Sequence, residues 1–83
     1  MPSKVIIYTK DNCPYCVKAK QLLSIKNVAY NEVVIGQDII REDFMSLFPD
    51  VRTVPLIIID NVKVGGYDQL REYFDNQPRI LAE

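Results

Sequence analysis

The apolar positions switch between two spacings along the chain. Val5-Ile6-Ile7-Tyr8 is a β-branched run that predicts a buried strand over Lys4 to Tyr8. Thr9 to Asn12 is a polar turn. From Tyr15 to about Lys26 the period lengthens. Cys16, Ala19, Leu22, Leu23 and Ile25 give the apolar face of a helix, and Lys18, Lys20 and Gln21 its wet face. Pro14 suits the first helical position and Asn27 the stop. Ala29 to Ile35 predicts a second strand through Val33, Val34 and Ile35, broken by Gly36-Gln37-Asp38. Ile39 to Phe48 predicts a second helix with Ile40, Phe44, Leu47 and Phe48 on one side, ended by Pro49 and Asp50. Leu56 to Ile59 is a third strand, turned by Asp60-Asn61 into Val62-Lys63-Val64 as a hairpin. After the break at Gly65-Gly66, Asp68 is placed to cap a last helix, Gln69 to Asp75, with Leu70, Tyr73 and Phe74 as its apolar contacts and Pro78 beyond it. The tail Arg79 to Glu83 is unassigned.

The order is β-α-β-α-β-β-α. A strand–helix–strand start calls for a parallel pair with a right-handed crossover. The hairpin adds antiparallel strands, so the expected fold is α/β, a four-stranded mixed sheet flanked by three helices. With 83 residues there is room for one core, and residues 1–83 read as a single domain.

Charge narrows the function. Ten basic and 11 acidic residues leave a net charge of −1, with no basic run to hold a nucleic-acid backbone. The apolar runs are too short to span a bilayer. The N-terminus has no long apolar stretch or small-residue cleavage site of a signal peptide. A cytoplasmic, reducing environment is therefore the expectation, with neither nucleic acid nor membrane as partner.

The chemistry lies in Cys13-Pro14-Tyr15-Cys16, which holds both cysteines of the chain. A bridge between them closes a very small loop and constrains little of the unfolded chain, so it is a poor structural staple. Two intervening residues at a helix start put both sulfurs on one turn, within reach of disulfide geometry. The first turn of a helix has unpaired N–H groups and the positive dipole end. A Cys13 thiolate there accepts those bonds, and cysteines so placed have pKa values of roughly 3.5–7.5 against ~8.5 for a free thiol. Lys10 adds positive charge. Cys13, at the helix lip, is expected to be the exposed nucleophile. Cys16, one turn in, is expected to be the shielded resolving thiol. A zinc site needs about four ligands; two cysteines and no histidine argue against a closed one. A pair of inert buried thiols is the remaining bland alternative.

The chain resembles the glutaredoxin family of the thioredoxin-like fold over essentially its whole length, closest to small bacterial and bacteriophage dithiol members. The residues that carry the resemblance are Tyr8-Thr9-Lys10 before Cys13-Pro14-Tyr15-Cys16, then Arg52-Thr53-Val54-Pro55, then Gly65-Gly66-Tyr67-Asp68. The resemblance implies a glutathione-dependent thiol–disulfide oxidoreductase that reduces protein disulfides and glutathione mixed disulfides. Glutathione is then a co-substrate, and no metal or tightly bound cofactor is required. It implies a cis Pro55 beside the cysteine pair, with Val54 turned outward to pair with a substrate backbone; Thr53 to Pro55 is otherwise only the start of a strand. It implies that the γ-glutamyl end of glutathione docks at Gly66, Tyr67 and Asp68, while Lys10 pairs the glycine carboxylate and Tyr15 flanks the sulfur. Arg41 is a further candidate for that carboxylate, an exposed helix charge being the plainer reading.

One departure stands out. Many members have Ser or Thr followed by Asp where this chain has Asp68 and Gln69. The Asp68 charge opposes the ligand carboxylate, although it can accept a bond from the amino group. Two alternatives follow: a thioredoxin-like reductant recycled by a flavoprotein reductase, and a carrier of a glutathione-ligated iron–sulfur cluster, against which the Pro-Tyr spacer argues. Ribonucleotide reductase is an implied protein substrate, and the chain is expected to act as a monomer.

Overall fold

The computed structural model describes residues 4–76, so Pro78 and the tail from Arg79 lie outside the described residues. Strand β1 (Val5–Thr9) alternates buried and half-buried positions. Val5, Ile7 and Thr9 point to one face, Ile6 and Tyr8 to the other, as the two-residue period of a strand requires. Helix α1 (Pro14–Ile25), strand β2 (Asn31–Val34), helix α2 (Arg41–Leu47), strands β3 (Leu56–Ile59) and β4 (Val62–Gly65), and helix α3 (Tyr67–Asp75) follow in the expected order. The sheet runs β2-β1-β3-β4. β1 pairs with β2 in parallel and with β3 antiparallel, and β3 pairs antiparallel with β4. This is the thioredoxin-like arrangement.

The two sheet faces are covered differently. Val5, Ile7, Ile57 and Ile59 form one core with Ala19 and Leu23 of α1 and Leu70 of α3. Burying each of these larger aliphatic side chains contributes roughly 1.5–3 kcal/mol. On the other face Tyr8 meets Phe44 and Phe48, with ring centroids 5.3 Å away in both cases. Helix α2 therefore rests on an aromatic cluster, which departs from the four-residue face expected of it. Ile40 is the N-cap rather than a helical residue, and both it and Leu47 are exposed.

Local residues explain most boundaries. Asn27 takes φ 59 just past the Lys26 C-cap of α1, the left-handed stop that Asn tolerates. Asp60 and Asn61, at φ 50 and 69, make the tight β3–β4 turn whose twist matches the flanking strands. Two expectations for the helices fail. Ile25 is 74% exposed, because it lies half a revolution from Cys16 on α1. Lys20, four residues after Cys16, falls on the Cys16 side instead of the wet face and is half-buried. Helix α3 begins at Tyr67, so Gly66 is its N-cap and Asp68 lies inside the first turn. None of the described helices is long and apolar enough to cross a membrane.

Candidate active site

β1 ends at Thr9, and the turn that follows aims the next segment at the sheet edge. Asn12 takes φ 54, a conformation its short polar side chain accepts. Cys13 is the N-cap of α1, with extended backbone, and Pro14 is the first helical residue. The Cys13 Sγ accepts a hydrogen bond from the Cys16 N–H at 3.2 Å. A capping position thus holds a sulfur where Ser or Asp usually places an oxygen. When Cys13 is a thiolate, the same N–H and the helix dipole stabilise its charge.

The two cysteines form a disulfide with Cα atoms 5.2 Å apart, inside the usual range for that bond. Cys13 is 9% exposed and Cys16 2%. The order of exposure agrees with the expectation that the lip cysteine meets the substrate, although neither is open to bulk water. The Cys13 Sγ lies 3.8 Å from the Val54 carbonyl oxygen. The Val54–Pro55 peptide is cis and adjoins the pair across 41 residues of sequence.

Two depressions flank the sulfurs. A groove of about 350 Å³ is lined by Tyr15, Thr53, Val54, Pro55, Gly66, Tyr67, Asp68 and Gln69. It brings together every candidate glutathione contact except Lys10. The Tyr15 and Tyr67 rings stand 6.0 Å apart, and the Lys18 Nζ sits 5.1 Å from the first and 6.0 Å from the second. Lys18 is a cation at this groove that the sequence pattern hid among the surface lysines of α1. At the other end the Gln69 Oε1 accepts a hydrogen bond from the Gly66 N–H at 3.0 Å. Gln69 therefore uses its carboxamide to fasten the start of α3, and Asp68 is left as the groove's carboxylate. Gly65 is required just before it. Its φ is +123, and a Cβ there would meet Gln69 side-chain carbons at 3.0–3.3 Å.

The second depression is a cleft of about 600 Å³, which includes Thr9, Lys10, Asp11, Asn12, both cysteines, Lys20 and Glu32 in its lining. Lys10 is found here, on the opposite flank from the other candidates. Arg41 opens α2 as an exposed residue and lines neither depression. The Thr9 hydroxyl donates to the Glu32 Oε2 at 2.6 Å, and the Lys20 Nζ reaches the same oxygen at 3.0 Å. The Thr9 hydrogen bond, aided by Lys20, holds the Glu32 carboxyl below its ordinary range against the opposing effect of burial. Thr9, Lys20 and Glu32 were not singled out by sequence. The i, i+4 spacing of Cys16 and Lys20 was the available signal.

Comparison with known proteins agrees with this geometry. A family model described as glutaredoxin matches residues 5–64. The chain is 41% identical over 89 residues to glutaredoxin 1 of Rickettsia conorii, covering 94% of this chain and 87% of that protein. Among solved structures, the solution structure of glutaredoxin from Brucella melitensis superposes with a TM-score of 0.75 at 36% identity, over 95% of this chain and 85% of the other. The crystal structure of a buckwheat glutaredoxin–glutathione complex gives 0.72 at 25% identity, over 87% and 68% of the two chains.

Proposed function

The chain belongs to the glutaredoxin family of thiol–disulfide oxidoreductases, and on that premise we propose that it draws its electrons from glutathione to reduce protein disulfides and glutathione mixed disulfides. The observation that carries this reading is the disulfide at the N-cap of α1, set beside a groove of Tyr15, Thr53–Pro55 and Gly66–Asp68. The complex of buckwheat glutaredoxin with glutathione supports it, since that fold superposes on this one.

In the dithiol cycle the Cys13 thiolate attacks one sulfur of a substrate disulfide. The substrate S–S bond breaks, and the leaving sulfur departs with its electron pair and takes a proton from water. Cys16 then attacks Cys13 of the mixed disulfide, closing the Cys13–Cys16 bond and freeing the second substrate thiol. One glutathione thiolate opens that bond at Cys13, and Cys16 regains its proton. A second glutathione attacks the first, so oxidised glutathione leaves and the Cys13 thiolate returns. In the monothiol cycle Cys13 takes glutathione directly from a glutathionylated protein, and Cys16 takes no part. The groove contributes orientation: Thr53 and Val54 offer extended backbone beside the sulfur, and Gly66 to Asp68 present the start of α3 to a γ-glutamyl carboxylate. Ribonucleotide reductase is a proposed protein substrate and the cytoplasm the proposed compartment.

One feature favours a second reading. Asp68 puts a carboxylate in the groove where a γ-glutamyl carboxylate would dock, which suits a reductant served by a flavoprotein reductase. The deciding measurement is turnover of a disulfide substrate with glutathione and glutathione reductase, set against turnover with a thioredoxin reductase. Turnover with the first system is expected. Turnover with the second system alone overturns the glutathione assignment.

A further inference from the structure

The resolving step needs the least exposed sulfur of the site to become a thiolate. Cys16 is 2% exposed, and burial in apolar surroundings opposes that charge. The helix N-terminus does little for Cys16, since its own N–H is spent on the Cys13 Sγ. Compensation has to come from the cleft that Cys16 lines.

The charged groups there are Lys10 and Asp11 from the β1–α1 turn, Lys20 from α1 and Glu32 from β2. Asp11 also meets Gln37, whose Nε2 donates to it at 3.4 Å. From β3 only the apolar Leu56 and Ile57 face this region of the core, and Asp68 of α3 lines the opposite groove. Lys20 stands one helical turn beyond Cys16 on the same side. Its ammonium is held at 3.0 Å by Glu32, which is fixed from behind by the Thr9 hydroxyl at 2.6 Å. Register explains the placement: Glu32 pairs with Ile7, so its side chain leaves the sheet on the face that α1 covers. The ion pair is neither buried nor free, with 31% and 29% of the two side chains exposed.

We infer that Lys20 and Glu32 are opposed positioning residues for Cys16: Lys20 favours its thiolate, and Glu32, anchored by Thr9, holds that cation back. Glu32 is ionised at neutral pH because its carboxyl titrates below the ordinary range. The pair therefore sets a balance of charge at the cleft wall and does not store a proton. In the step it governs, the Cys16 proton passes to water in the cleft. The thiolate forms a bond to Cys13 sulfur, the mixed disulfide bond breaks, and the substrate thiolate leaves and is protonated by solvent. No further reductant is needed.

The inference rests on Cys16 being the resolving thiol, and its test does not. With Cys13→Ser as background, Cys16 is the only thiol, and its ionisation is read from thiolate absorbance against pH. Lys20→Met is expected to raise its titration midpoint and Glu32→Gln to lower it, each on the order of one pH unit, as for removal of a nearby charge. The double variant Lys20→Met/Glu32→Gln returns near the starting value. With Cys13 intact, reduction of a protein disulfide at pH 7 should slow in Lys20→Met and quicken in Glu32→Gln. Deglutathionylation, which bypasses Cys16, should hold steady in both. A merely structural ion pair predicts the same direction in both single variants. Shifts of one sign, or no shift in either, overturn the inference. Failure of the resolving assignment shows separately, as full protein-disulfide reduction by Cys16→Ser.

Discussion

The two flanks of the cysteine pair are built from different materials. The groove on the α3 side is made of backbone, aromatic rings and a fastened helix start, with Asp68 as its carboxylate and Lys18 at its rings. The cleft on the β2 side is made of ionisable side chains, Lys10, Asp11, Lys20 and Glu32. Shape and directed N–H groups suit recognition of an extended ligand, whereas fixed charge beside a buried sulfur suits control of its ionisation. On the proposed reading, one flank chooses the partner of Cys13 and the other tunes Cys16.

The largest effects come from breaking the pair itself. Cys13→Ser should abolish both protein-disulfide reduction and deglutathionylation. Cys16→Ser should lose the first and keep the second. Measuring both activities in both variants checks this, and loss of deglutathionylation in Cys16→Ser would contradict the division of roles.

Next in size is the scaffold of the groove. Gly65→Ala forces a side chain into φ +123 and against Gln69. A loss of roughly 1–3 kcal/mol is expected in urea unfolding, the usual cost of such a backbone conformation. Displacing Gln69 also releases the Gly66 N–H from its 3.0 Å bond. The KM for glutathione should then rise in the folded variant while the Cys16 titration stays where it was. A shift in that titration would join the two flanks that the geometry separates.

The groove was more legible in the sequence than the cleft, for a physical reason. Pro14 and the Cys13–Cys16 spacing act within one helical turn, so local rules place both sulfurs. The strand runs and the Asp60-Asn61 turn are local as well. The cis-proline and glycine blocks came from the family resemblance, and the structure puts them in one wall. The cleft depends on register. Thr9 and Glu32 are 23 residues apart and meet only because β1 and β2 pair in parallel with Ile7 beside Glu32. Strand periodicity gives the face of a residue and not its neighbour across the sheet. Lys20 was misplaced because charge was read as exposure. At 100° per residue it lies about 40° from Cys16, and Ile25 lies about 180° away. Asp68 was read as a cap because Gly66 carries no side chain to mark that position. A backbone N–H and Gln69 do the capping work instead.

A smaller change sharpens the ligand side. Asp68→Thr removes the groove's carboxylate. If repulsion of the γ-glutamyl carboxylate dominates there, the KM for glutathione should fall about two- to fivefold, the span of an exposed charge interaction. The readout is initial rate against glutathione concentration. A rise in KM would instead make Asp68 the partner of the ligand amino group, and the groove would recognise the ligand by its ammonium.

The smallest effect separates the cleft's contribution to stability from its chemistry. The Thr9 hydrogen bond, with help from Lys20, keeps the folded Glu32 carboxyl below its ordinary value of 4.5. The folded state therefore prefers the ionised form. Its stabilising effect is fully present above pH 4.5 and is lost as pH falls through the lower, folded-state value. Because the pair is partly exposed, the contribution is expected below about 1 kcal/mol and weaker in high salt. Urea unfolding of the wild-type chain and Glu32→Gln at pH 7 and at pH 3 measures it. The gap between the two proteins should narrow on acidification. A gap unchanged between the two pH values would mean that Glu32 stabilises the strand by packing alone, and the charge balance at the cleft wall would then have to be carried by Lys20, Lys10 and Asp11 without it.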